Sequence, residues 1–228
     1  MKNPRNLGIS RRAACCRMLS IAGIAPFAAV CLQNAKPACA ADLSANVLRV
    51  EEDWYVKIGT PAPEEDSPQI TTVLTPGSFA GSHAVFDMNC ATQPNFESGG
   101  VQLQLWRNGG INQSRSNTNW DSLHIVDEEI HFTSAMSIQN DNLVFEVING
   151  TSESWGSFGN GELKVQFPTW RNHLNEYSRD DSISNAGIGF ASHRVRCLAL
   201  QRVRYYSQND LLLEDSTSHV IHQYDPGT

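Results

Sequence analysis

Polar and apolar positions alternate in the run Val101-Gln102-Leu103-Gln104-Leu105-Trp106. A strand here buries Val101, Leu103 and Leu105 and turns Gln102, Gln104 and Trp106 to its other side. His131 and Thr133 alternate with Ile130 and Phe132 in the same way, and Glu146 stands between Phe145 and Val147. If these strands are neighbours, the six polar residues share one wet face. Amide side chains both donate to and accept from hydroxyls, and an indole stacks on the C–H side of a ring, so such a face suits a sugar. The same alternation also fits a solvated sheet with Trp106 folded over an edge.

Three further groups carry possible chemistry. Trp120 and Trp155 sit among small polar residues, in Asn117-Thr118-Asn119-Trp120-Asp121 and Ser152-Glu153-Ser154-Trp155-Gly156. Each is read either as a ligand platform on a loop or as a plug closing one end of the fold. Arg194, Arg196, Arg202 and Arg204 share a parity with Leu198 and Leu200. They read as cross-strand partners of carboxylates or as a cationic track for uronate or sulfate groups. Asn175, Asp180, Asp181 and Asn185 form an oxygen-rich stretch that would suit Ca²⁺, although the EF-hand spacing is missing and turn chemistry explains the same residues. No other cofactor is implied.

The elements that must position these residues are strands. Period-two runs or short apolar runs cover Leu48 to Ile58, Gln69 to Leu74, His83 to Met88, Val101 to Trp106, Ile130 to Ser137 and Leu143 to Ile148. Others cover Leu163 to Phe167, Gly187 to Ala191, Val195 to Tyr206 and Ser218 to Tyr224. Turn dipeptides such as Asn108-Gly109 and Asn140-Asp141 separate them. Trp170, Leu174 and Tyr177, at i, i+4 and i+7, predict one or two helical turns that end at Asp180-Asp181. The pattern predicts an all-β, two-sheet antiparallel sandwich of jelly-roll type, as a single domain over residues 41–228.

Residues 1–40 read as a secretory signal peptide. They hold six basic and no acidic residues, an apolar stretch from Met18 to Leu32, and the small-x-small sequence Ala38-Cys39-Ala40. Fifteen helical residues span about 22 Å, short of a hydrocarbon core of about 30 Å. Ser10-Arg11-Arg12 leaves general and twin-arginine export both open. The chain is therefore expected in the periplasm or outside the cell. The whole sequence has a net charge of −7, but the 188 residues after Ala40 keep 11 basic against 24 acidic residues, a net of −13. Such a surface repels nucleic acid and anionic membranes, and no membrane span is expected. Four of six cysteines fall in the leader, leaving Cys90 and Cys197 as the expected disulfide of an exported chain.

Leu174-Asn175-Glu176-Tyr177, Ser184-Asn185-Ala186-Gly187-Ile188-Gly189-Phe190-Ala191, Arg194-Val195 and the strand Leu198 to Tyr206 resemble the closing strands of concanavalin-like jelly rolls. The stretch is also similar to small exported bacterial proteins of unknown function. The resemblance covers the last third of the chain and implies a fold; it brings no catalytic motif. Retaining glycosidases of this fold class carry E-x-D-x-x-E, which is absent, and Glu128-Glu129 face opposite sides of a strand. Glu129-Ile130-His131 resembles the Gln-Ile-His strand of jelly-roll lyases, with Glu in place of the neutralising Gln. The expectation is an exported, non-catalytic module that binds polysaccharide through Gln102, Gln104, Trp106, His131, Glu146, Trp120 and Trp155. Two alternatives remain open: a lyase or hydrolase using His131 or Glu146, and a structural or surface protein with a protein partner.

Overall fold

The computed structural model describes residues 45–60, 68–77, 81–88, 100–117, 123 and 125–225. Residues 1–40, Cys90 and Trp120 lie outside the described residues. The elements are β1 (Arg49–Ile58), β2 (Gln69–Leu74), β3 (Ser82–Met88), β4 (Val101–Arg107), β5 (Gly110–Asn117), β6 (Glu129–Gln139) and β7 (Asn142–Ser152). Next come β8 (Gly156–Phe158), β9 (Lys164–Pro168), α1 (Arg179–Asn185), β10 (Gly187–Phe190), β11 (Val195–Tyr206), β12 (Leu211–Asp215) and β13 (His219–Gln223).

These strands form two antiparallel sheets packed as a sandwich of jelly-roll type. One has the order β12-β11-β1-β6-β7-β8, with β13 beside β12 along β11 and β9 beside β8 along β7. The other has the order β10-β2-β3-β4-β5. Alternation supplies the core: Trp54 and Phe132 of the larger sheet stack at 6.3 Å, and Phe86 of the smaller sheet meets Phe132 at 4.9 Å. Burying side chains of this size stabilises by roughly 2–3 kcal/mol each. The β4–β5 hairpin closes through Asn108 (φ 53°) and Gly109 (φ 78°), and the β6–β7 hairpin through Asn140 (φ 48°) and Asp141 (φ 60°). Two left-handed central residues match the twist of the flanking strands.

Simple alternation fails in β11. Its register with β1 slips between Lys57 and Ile58, which skips Arg196, and again between Asp53 and Trp54, which skips Gln201. Each bulge inverts the facing of the residues beyond it. Leu198, Leu200 and Val203 are consequently all buried, and Arg202 and Arg204 do not share the face of Leu198 and Leu200 as their parity implied. The helix is also displaced from its expected place. Residues 170–177 are irregular, and α1 begins at Arg179, placing Asp180 and Asp181 in its first turn. Acidic side chains favour that end of a helix, so they start it and do not end it.

One carboxyl lies inside the sandwich. Glu52 on β1 is 0% exposed and accepts hydrogen bonds from the Tyr177 hydroxyl (2.6 Å), the Ser182 hydroxyl (2.5 Å) and Trp54 Nε1 (3.0 Å). Burial outweighs these three donors and pushes its carboxyl up to about 7.

Candidate functional site

The residues grouped from the sequence divide between the two outer faces. Gln102, Gln104 and Trp106 belong to β4 in the five-stranded sheet, whereas His131 and Glu146 belong to β6 and β7 in the eight-stranded sheet. Alternation sets which side of its own strand a residue occupies; it does not set which sheet the strand joins. The expected common face is therefore not formed.

On the five-stranded sheet the amides engage one another. Trp106 Nε1 donates to Gln104 Oε1 (2.8 Å), Gln104 Nε2 to Gln102 Oε1 (2.6 Å), and Gln102 Nε2 to Ser116 Oγ (2.9 Å). Gln102 and Gln104 are only 4% and 1% exposed, so they offer little surface to a ligand. Trp106 is half-buried and stacks on His83, with ring centroids 6.2 Å apart. Next to Gln102, Asp87 accepts from the Thr71 hydroxyl (2.6 Å). Burial there pushes its carboxyl up to about 6.

The eight-stranded sheet presents a more open face. Successive outward residues of β1 are Arg49, Glu51 and Asp53, opposite Tyr206, Arg204 and Arg202 of β11. Arg49 holds Glu51 through Nε (2.7 Å) and Glu146 through its terminal nitrogen (3.0 Å). Arg204 bridges Glu51 (3.0 Å) and Asp53 (2.8 Å). Arg202 holds Asp53 (2.6 Å) and reaches Glu214 (3.7 Å). Hydroxyls complete the lattice, with Tyr206 donating to Glu51 (3.1 Å) and Thr133 to Asp53 (2.8 Å). The bland reading of Arg202 and Arg204, as partners of carboxylates, is the one realised.

This lattice floors a cleft of about 750 Å³ at one end of the face. Arg49, Glu51, Ser137 and Tyr206 lie along it, with Gln139, Asn140 and residues 207–209 of the flanking hairpins around them. The volume falls in the usual range for ligand sites. Glu146 reaches this region through Arg49. Arg49, Glu51 and Tyr206 were not singled out from the sequence. The alternation Arg49, Glu51, Asp53 against Val50 and Trp54 was the available signal, masked by the acidic run Glu51-Glu52-Asp53.

At the other end of the face, Tyr55 and His131 lie side by side, with ring centroids at 5.1 Å. The Tyr55 hydroxyl donates to Glu129 (3.0 Å), which also pairs with Lys57 (3.3 Å). Burial and the neighbouring carboxylate push Tyr55 up to about 12. That keeps it a phenol, the form that donates to Glu129.

The remaining expected site residues are structural or dispersed. Trp155 is 5% exposed and meets Phe158 edge-on at 6.2 Å, so it plugs the core and forms no platform. Asn175 accepts from the Val47 backbone N–H (2.9 Å), and Asn185 donates to the Asp181 carbonyl (2.7 Å). Among the described residues no group of three or more His, Cys, Asp or Glu side chains is placed to hold a metal. Cys197 is half-buried on β11, and Cys90, its expected disulfide partner, lies outside the described residues. Among the described residues no helix is long and apolar enough to cross a membrane.

No protein-family model and no curated protein matches the sequence. Among solved structures, the ancestral congerin Con-anc is similar with a TM-score of 0.32 and 16% identity, over 67% of this chain and 93% of that chain. Scytalido-glutamic peptidase, solved with a peptide-based transition state analog, has a TM-score of 0.32 and 11% identity, over 77% of this chain and 83% of that chain. SCP-B, a member of the eqolisin family of peptidases solved with the tripeptide Ala-Ile-His, has a TM-score of 0.29 and 12% identity, over 77% and 82%. These are β-sandwich neighbours at low similarity, and no ligand or reaction is transferred from them to this chain.

Proposed function

We propose that the chain is an exported, non-catalytic binding module that recognises a neutral polysaccharide on the outer face of its eight-stranded sheet. The observation that supports this reading is the cleft floored by Arg49, Glu51 and Tyr206. Three guanidiniums on that face, Arg49, Arg202 and Arg204, meet four carboxylates, Glu51, Asp53, Glu146 and Glu214. An anionic ligand entering here has to separate a guanidinium from its carboxylate. Sugar hydroxyls instead use the spare carboxylate lone pairs and N–H groups and leave the lattice intact. The uronate or sulfate track considered from the sequence is disfavoured by the same pairing.

The test is retention of the purified protein on a β-glucan, a galactan, a mannan and polygalacturonate, with a parallel assay for released product. The reading expects retention on a neutral polymer without product, and weaker retention when the exposed Gln139 and Gln208 are both changed to Ala. Product release would favour an enzyme, and preference for polygalacturonate would contradict neutral recognition.

A further inference from the structure

We propose that Trp170 is the aromatic platform of this binding site, stacking on a pyranose ring of the polysaccharide held in the cleft. The inference rests on the polysaccharide reading of the cleft and adds the residue that anchors the ligand.

Trp170 is 92% exposed, the most exposed large hydrophobic side chain among the described residues. It makes no contribution to the core, and its backbone is nevertheless pinned. Thr169 N donates to the Asp141 carbonyl (2.8 Å), and Arg171 N donates to Thr169 Oγ1 (3.1 Å). Arg171 is further tied to Glu176 (2.7 Å), and Leu174 N donates to the Val47 carbonyl (2.7 Å). The segment thus holds the indole in water on a fixed backbone, where a disordered loop would let it collapse onto the surface.

Its position joins it to the cleft. Asp141, which anchors Thr169, is the second central residue of the β6–β7 turn, and Asn140, the first, lines the cleft. Val47, which receives the far end of the segment, precedes Leu48 and Arg49, which also line it. These two backbone connections tie the segment that carries Trp170 to the Asn140 end of the cleft. The chemistry is complementary: a neutral pyranose offers hydroxyls at its edge for the Arg49–Glu51–Tyr206 floor and C–H bonds on its face for the negative face of an aromatic ring. Rigid aromatic anchors of this kind carry a large share of binding energy at recognition surfaces.

The experiment compares wild type, Trp170→Ala, Trp170→Phe and the Gln139→Ala/Gln208→Ala double variant by affinity electrophoresis in whichever neutral polymer retains wild type. Chemical unfolding of each is measured in parallel. Trp170→Ala is expected to weaken retention at least tenfold with an unchanged unfolding midpoint, and Trp170→Phe to restore most of it. Retention of Trp170→Ala within twofold of wild type overturns the inference and leaves the cleft reading standing. A loss in Trp170→Ala with no effect of the double variant also overturns it, because the indole would then serve a separate site. If wild type is retained by no neutral polymer, the reading of the cleft fails and this inference with it.

Discussion

The buried Glu52 gives the fold a pH dependence of calculable sign and size. The carboxyl is held at about 7 in the folded chain and has an ordinary value of 4.5 when exposed. Below about 4.5 it is protonated in both states. Between 4.5 and 7 the folded chain keeps a proton that the unfolded chain has lost, so stability falls as pH rises through that window. The difference of 2.5 units corresponds to about 3 kcal/mol at 1.36 kcal/mol per unit. Glu52→Gln removes the titration and preserves the bonding. The amide carbonyl accepts from Trp54 and the amide nitrogen donates to the Tyr177 and Ser182 hydroxyl oxygens, where the protonated acid, with its single proton, donates to one of them and accepts from the other. The variant is therefore expected to match wild type within about 1 kcal/mol at pH 4.5 and to exceed it by about 3 kcal/mol at pH 8. Urea unfolding across pH 4.5–8.5 reads this as a midpoint difference of about 1 M or more that grows with pH. Superimposed pH profiles of the two proteins would refute the assignment of a neutral buried acid.

Other substitutions test separate parts of the account. Asp87→Asn removes a second carboxyl raised by burial, from 3.8 to about 6. Wild-type stability should fall by about 3 kcal/mol more steeply than the variant's between those two values, again by urea unfolding. Gly150→Ala puts a methyl 2.3 Å from the buried Phe158 ring paired opposite it, so the ring or the strand must shift. A loss of roughly 1–3 kcal/mol in thermal or urea unfolding is expected, and a neutral result would contradict the packing of β8 on β7. Trp155→Ala empties a core position and should cost about 3–5 kcal/mol. If it instead lowered polysaccharide retention at unchanged stability, Trp155 would be a platform after all. Asp53→Asn removes the charge that Arg202 and Arg204 share and replaces one acceptor oxygen with an N–H group, so one carboxylate oxygen's donors lose their partner. A destabilisation of about 1.5–3 kcal/mol is expected, and no change would show that the lattice is not rigid.

Much of the fold was legible because alternation is a local property. The strands over Gln69–Leu74 and Val195–Tyr206 have the limits read from the sequence, and the Asn-Gly and Asn-Asp turns close hairpins as their conformational freedom implies. The strands that escaped notice are edge strands. β5, Gly-Ile-Asn-Gln-Ser-Arg-Ser-Asn, is almost entirely exposed and has no apolar face to reveal it, and β12 begins with three leucines that show no alternation. The site was less legible, for two reasons. Sheet membership is a tertiary property, so Gln104 and His131 looked alike and lie on opposite faces. The bulge at Gln201 moves Arg202 and Arg204 to the side away from Leu198 and Leu200, a reversal that no count of parity contains.

The central claim is that the ligand lies on the eight-stranded sheet. Its most direct test is a backbone NMR titration of the labelled protein with a neutral oligosaccharide cut from the polymer that retains it. Shifts should concentrate at Arg49, Glu51, residues 137–140, Trp170 and residues 206–209, with Thr71, Asp87 and Gln104 unmoved. Shifts confined to Thr71, Asp87, Gln104 and Trp106 would put the ligand on the opposite sheet and contradict the account.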